Sequence, residues 1–326
     1  MNRRNFFTGV GGLATVGIGT NLVREWDERS LRAQVFIAKA TSYQSDLESI
    51  IGDGLRMLGL SQSWAKGRIV VLKPNLVEPS RSSPQINTHP YVVRAAAEVF
   101  RRWRAREVIV AEGPGHCRDG QLVLDQSGLG AVLDESRLEF VDLNYDDVTL
   151  VPNRFGATKL RELALPLTLK RADLIVSLPK LKTHHWAGVT LSLKNFFGVM
   201  PGTVYGWPKN VLHHAGIGQA ILDIAAAVCP HLAIVDGIIG MEGDGPIMGT
   251  PRQAGVLVMG TNLPAVDATC SRLMTINPWR IDYLAAASGR LGPIAERHIG
   301  QRGESIARLA QTFQLLDHPS FAGLRA

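Results

Sequence analysis

At 326 residues, with 45% hydrophobic and 20% charged content, the chain has the composition of a globular protein of one large or two ordinary domains, not of a disordered one. Its net charge of +6 is modest, and no basic stripe interleaved with aromatics marks a nucleic-acid surface. Three cysteines, Cys117, Cys229 and Cys270, without any Cys-x-x-Cys pair, exclude an iron–sulfur cluster or a four-thiolate zinc site built from this chain alone.

The chain opens Asn2-Arg3-Arg4-Asn5-Phe6-Phe7, and a Gly-rich, mildly apolar run follows to Val23 with no acidic residue before Glu25. Paired arginines, a spacer and Phe ahead of a weakly hydrophobic stretch predict a twin-arginine export signal over residues 1–23, read by the twin-arginine translocation machinery. The body would then be periplasmic or otherwise extracytoplasmic. The apolar run is shorter than the roughly 20 residues of a spanning helix, which leaves cleavage and retention as a membrane tether both open. In an oxidising compartment one disulfide could form, and Cys229 and Cys270 lie in apolar helical contexts that predict small buried packing residues.

From there hydrophobic periodicity alternates between strand and helix. Strands are expected at Gln34–Lys39, Arg68–Leu72, Glu107–Ala111, Leu138–Val141, Leu174–Ser177, Leu232–Val235 and Ala254–Met259. Helices are expected over Ser45–Leu58, from Thr88-His89-Pro90 (Thr88 as cap) through Phe100, over Leu191–Phe197, His214–Val228 and Pro264–Met274. The tail from Pro278 to Phe313 reads as short helices broken by glycines. Apolar strands separated by helices predict an α/β fold with a mainly parallel sheet flanked by helices. Periodicity is weakest over Asn144–Arg171, so two lobes are expected, 34–150 and 151–326, the second with a helical tail.

In an open parallel sheet, ligands bind beyond the carboxyl ends of the strands. Polar residues collect there: Lys73 and Asn75 after one strand, Glu112 after the next, Lys180, Lys182 and His184 after a third, and Asp236, Glu242 and Asp244 after a fourth. If Lys180–His184 is extended, Lys180, Lys182 and His184 share a face. With Lys73, Asn75, Lys194 and Asn195 they would form a cationic cavity for phosphate or carboxylate, in which one Lys has a lowered pKa fit for proton transfer. The run from Asp236 to Pro246 holds four glycines and a proline, and reads as a tight loop presenting three carboxylates. Asp236, Glu242 and Asp244 would hold a divalent cation such as Mg²⁺, or pair with the lysines. The adjacent pairs His184-His185 and His213-His214 are expected to point apart and to serve structure rather than a metal.

The ordered segments Val71–Val77, Ala111–Gly115, Leu178–His184, Leu193–Gly198, Asp236–Ile238, Glu242–Pro246 and Ala265–Asp267 resemble the family called domain of unknown function 362. That resemblance implies an α/β protein. Some members carry a ferredoxin-like cysteine cluster, which this sequence lacks. A remote likeness to the nickel-dependent lactate racemase group, also lined by Lys and His, stands as analogy.

The functional expectation is an exported enzyme, isomerase-, racemase- or hydrolase-like, acting on a small anionic molecule. Lys182, His184 and Glu112 are its candidate catalytic residues; Lys73, Asn75, Lys180, Lys194 and Asn195 bind the substrate. The alternatives are a non-catalytic anion-binding or accessory protein, and a redox component that relies on a partner's iron–sulfur cluster.

Overall fold

The computed structural model describes residues 32–115 and 117–326. The export motif at residues 1–23 and His116 lie outside the described residues. Strands β1 (Ala33–Lys39), β2 (Ile69–Pro74), β3 (Glu107–Glu112), β4 (Glu139–Asp142), β5 (Val148–Pro152), β6 (Glu162–Pro166), β7 (Leu174–Leu178), β8 (Lys180–His184), β9 (Gly188–Thr190), β10 (Leu232–Glu242), β11 (Thr250–Gly260) and β12 (Ile299–Gly303) are joined by four helices of ten residues or more. These are α1 (Leu47–Met57), α2 (Pro90–Arg102), α3 (Ile217–Val228) and α4 (Leu263–Leu273).

Among the described residues, ten strands make one sheet in the order β12-β1-β11-β10-β7-β2-β3-β4, with β8 on β10 and β9 on β8. The run β10-β7-β2-β3-β4 is parallel; β11 is antiparallel to both β1 and β10. The expected boundary region carries a separate antiparallel pair, β5 with β6. The main sheet draws on both sides of it, since β1 pairs with β11 and β12 from the far end of the sequence.

Each strand feeds two cores because alternate side chains face opposite ways. Val71 and Val235 join one apolar cluster with Ile221 and Ile224 of α3 and Val266 and Leu273 of α4. Val70, Leu72 and Ile234 join the other, with Ile51 and Leu55 of α1 and Val92 and Phe100 of α2. Ile51 and Leu55 are wholly buried, and each such side chain contributes about 1.5–3 kcal/mol relative to exposure. The result is a sheet between two helical layers.

Local chemistry sets the helix starts. Asp46 accepts from the Ser49 N–H to cap α1, and Asn262 accepts from the Ala265 N–H to cap α4. The α2 cap is His89 rather than Thr88: His89 Nδ1 accepts from the Tyr91 N–H, with Pro90 in the first turn. Thr88 instead ties two strand ends together, its Oγ1 accepting from the Asn75 N–H and donating to the Leu178 carbonyl.

Three further expectations are corrected. The Gly-rich run after Val235 continues as strand to Glu242, because β11 pairs with it from Gly260 back to Thr250. The tail holds β12, which is parallel to β1. All three cysteines are free, and Cys229 is exposed at the end of α3, while Cys270 is buried as expected. No helix among the described residues is long and apolar enough to cross a membrane.

Candidate functional site

The first strand in sequence of the parallel run β10-β7-β2-β3-β4 is β2, which lies between β3 on one side and β7 on the other, so chain direction across the sheet reverses beside it. Side chains leaving the carboxyl ends of such strands meet in a crevice. Here the crevice is a cavity of about 490 Å³, a size suited to a small molecule.

At its base Lys73 is the last residue but one of β2, and Glu112 ends β3. Lys73 Nζ donates to Glu112 Oε2 at 2.6 Å and to Asn195 Oδ1 at 2.8 Å, and both charged side chains are wholly buried. Glu112 also accepts from the N–H groups of Leu76 and Gly113. Burial pulls the Lys73 pKa down and pushes that of Glu112 up, so each is drawn toward neutrality against the attraction of its partner.

Gly198 lets the chain pass this pair. A Cβ there would sit 2.8 Å from Lys73 Nζ and closer still to Glu112 Oε1. Gly198→Ala should therefore destabilise the fold by about 1–3 kcal/mol through overpacking, read as a fall in thermal midpoint. An unchanged midpoint would mean that the pair moves aside freely.

Asn195 and Lys194 are placed by a carboxylate behind them. Asp267 on α4 accepts from the Ser192 N–H at 2.8 Å, the Leu193 N–H at 3.0 Å and the Ser192 hydroxyl. These bonds fix the turn Ser192–Asn195, and burial raises the Asp267 pKa to about 7.

Lys182 enters from β8. Its Nζ donates to the carbonyls of Ile86 at 2.8 Å and Pro246 at 3.2 Å, and no described carboxylate reaches it. Burial, then the charges of Lys194, Lys180 and Lys73, hold its pKa well below that of an ordinary lysine. Lys194 is half-buried, with Nζ 5.1 Å from the centre of the Phe197 ring and no hydrogen-bond partner among the described residues. Desolvation, with Lys73 adding, lowers its pKa to about 8. Lys209 is held by Asn144 Oδ1, and burial brings it to about 8 as well.

His184 has a defined tautomer. Nδ1 accepts from the N–H groups of Trp186 and Ala187, at 3.1 and 3.2 Å, so in the neutral ring the proton sits on Nε2. Burial, followed by Lys194, His185 and Lys182, keeps its pKa well below the usual histidine value. The ring therefore offers an N–H donor at the cavity wall, not a free basic nitrogen, which revises its expected part as an acid–base partner.

Of the expected residues, Lys73, Asn75, Glu112, Lys182, His184, Lys194, Asn195 and Asp244 line the cavity. Lys180, Asp236 and Glu242 do not line it. Lys180 faces Asp236 across the β8–β10 register and is captured by it at 2.8 Å, beside the Tyr43 hydroxyl. Glu242 accepts from the Gln314 N–H and faces Arg252 at 3.9 Å.

The expected three-carboxylate cation loop is thus not assembled. Asp236 and Glu242 sit six residues apart on one strand, on the order of 20 Å at about 3.3 Å per residue, and each has its own partners. Among the described residues no three His, Cys, Asp or Glu side chains form a metal-sized group. Asp244 binds His185 Nδ1 at 3.0 Å. His184 and His185 do not point apart but both line the cavity, because β8 ends between them; their ring centres are 5.0 Å apart.

Sequence reasoning missed Lys209, His213 and Thr190 as lining residues. Lys209 and His213 follow no strand, and only the partnership with Asn144 beyond β4 brings Lys209 inward.

The family model described as Domain of unknown function (DUF362) matches residues 70–272, more than half of the chain. The chain belongs to this family. The match runs from β2 to α4 and so includes Lys73, Glu112, Lys182, Lys194 and Asp267. A thylakoid-associated protein of Synechocystis sp. is 29% identical over 267 residues, 79% of each chain. Among solved structures, a Thermotoga maritima protein overlaps at 13% identity with a TM-score of 0.38, covering 72% of this chain and 60% of that one. The lactate racemase apoprotein from Thermoanaerobacterium thermosaccharolyticum overlaps at 15% identity and 0.37, covering 76% and 58%. This chain spans about three-fifths of the length of those two structures.

Proposed function

We propose that the cavity binds a small organic anion, a carboxylate or phosphate ester, and moves a proton on it, as an isomerase- or hydrolase-like enzyme would. One observation carries this reading. Lys182 and Lys194 line a cavity and touch no carboxylate among the described residues. Glu112 is already engaged by Lys73, and the remaining lining carboxylates, Glu78 and Asp244, are more exposed. Ammonium groups in such a setting are stabilised when an anion enters.

The roles divide by protonation. Lys194 and Lys209, near 8, are mostly charged at pH 7 and attract the anion. Lys182 as a neutral amine donates its two hydrogens to the Ile86 and Pro246 carbonyls and keeps its lone pair. It can then take a proton from the bound molecule, and the neighbouring negative charge makes it a stronger base. The neutral His184 ring supplies a donor for an oxygen that gains negative charge. The twin-arginine motif adds the proposal that this chemistry takes place outside the cytoplasm.

The test is a thermal-shift titration with phosphate and citrate from pH 6.5 to 9.5. The ligand-free fold should itself gain stability between pH 8 and 10.5, because lysines with depressed pKa values keep fewer protons folded than unfolded there. The additional rise given by the anion should do the reverse, large at pH 7 and shrinking as Lys194 and Lys209 discharge above 8. An anion effect that is absent at pH 7, or flat across this range, would remove the lysines from binding.

A further inference from the structure

We infer that Lys194 is an imine-forming amine, and that the anions this site acts on are 2-oxo carboxylates. The inference rests on the anion-binding reading and narrows it. A covalent amine must be inside the cavity, open to a ligand, and free of hydrogen bonds that occupy its nitrogen. Lys73 fails, held by Glu112 and Asn195. Lys182 donates to two carbonyls, and Lys209 is only 1% exposed and held by Asn144. Lys180 is outside the cavity, bound to Asp236 and Tyr43. Lys194 alone among these five lines the cavity, keeps part of its surface open, and rests against the apolar face of Phe197. Desolvation beside a second ammonium is the general way in which a lysine becomes a nucleophile, and the discharge of Lys194 near pH 8 follows from that placement.

The remaining groups fit a carbonyl next to a carboxylate. Lys209 attracts the carboxylate, and the His184 Nε2–H is a donor for the keto oxygen. In the reaction the Lys194 nitrogen forms a bond to the keto carbon, and the C=O π pair moves onto oxygen. The amine gives one proton to that oxygen, and a second comes from solvent. The C–O bond breaks, water leaves, and a protonated imine remains. Its positive charge replaces that of the ammonium, so the carboxylate stays compensated. The imine then accepts the electron pair of an adjacent C–H bond, whose proton passes to the neutral Lys182 amine, giving an enamine and Lys182 ammonium.

The experiment uses the full chain with pyruvate as probe, in two measurements at pH 7.5. Sodium cyanoborohydride should reduce the imine to a stable secondary amine, which peptide mass spectrometry should place on Lys194. Proton NMR in D₂O should show exchange of the pyruvate methyl hydrogens, lost in Lys194→Met and in Lys194→Arg. The thermal shift of each variant establishes that it is folded. Trapping and exchange that both depend on Lys194 support the inference. Pyruvate that stabilises the protein yet leaves no adduct on Lys194, or adducts spread over other lysines, overturns it while anion binding stands. Pyruvate, phosphate and citrate all without effect would overturn both.

Discussion

Asp236→Ala should destabilise the protein by about 3–5 kcal/mol, the cost of leaving a buried charge without its counter-ion. Asp236 and Lys180 are both 0% exposed and 2.8 Å apart. The same carboxylate accepts from the Tyr43 hydroxyl at 3.1 Å and from the His89 N–H at 3.0 Å. Tyr43 stacks on His89 with ring centres 3.6 Å apart, so one carboxylate joins β10, β8, the chain before α1 and the start of α2. Alanine would strand an ammonium, a hydroxyl and a backbone donor together. Urea denaturation measures the loss, and the double variant Asp236→Leu with Lys180→Met should recover most of it, since a buried ion pair is often replaceable by apolar side chains. A loss below about 1 kcal/mol would show that the cluster is hydrated and does not hold the sheet together.

Lys182→Met should leave the fold standing and reduce anion affinity at least tenfold, about 1.4 kcal/mol in binding free energy. Methionine is one atom shorter, keeps the unbranched apolar stem, and removes a buried amine that has no carboxylate partner among the described residues. The structural cost is limited to the Ile86 and Pro246 carbonyls, which lose a donor, about 1–3 kcal/mol for each that finds no other. An inert anion such as phosphate has no C–H proton to give the neutral Lys182 amine, so its binding should raise the depressed Lys182 pKa and draw that proton from solvent instead. Calorimetry in buffers of different ionisation enthalpy measures that uptake, which should fall in the variant. Equal affinity and equal proton uptake in both proteins would mean that Lys182 is a structural amine.

The positions of Lys73, Glu112 and Lys182 were legible because each follows an apolar strand, and strand ends converge in a parallel sheet. Alternation failed at Lys180, which shares its strand face with Lys182 by period but is claimed by the carboxylate in register with it. Composition misled at Asp236–Glu242. Glycines there suggest a loop, whereas Gly237 and Gly240 admit close neighbours: a Cβ on Gly240 would lie 2.6 Å from the Leu181 carbonyl oxygen. Lys209 left no local signal, since its place depends on Asn144, 65 residues earlier. The Ala265-Val266-Asp267 segment stood out only through the family pattern; its role, holding Ser192 and Leu193 so that Lys194 faces the cavity, needed coordinates.

Anomalous diffraction from crystals soaked in selenate, a tetrahedral oxyanion, would locate the anion directly. A selenium peak is expected inside the cavity, within hydrogen-bonding distance of Lys182 or Lys194, weakened or lost in Lys182→Met crystals. Selenium found only on the outer surface, with the cavity holding none at the same concentration, would contradict anion binding there.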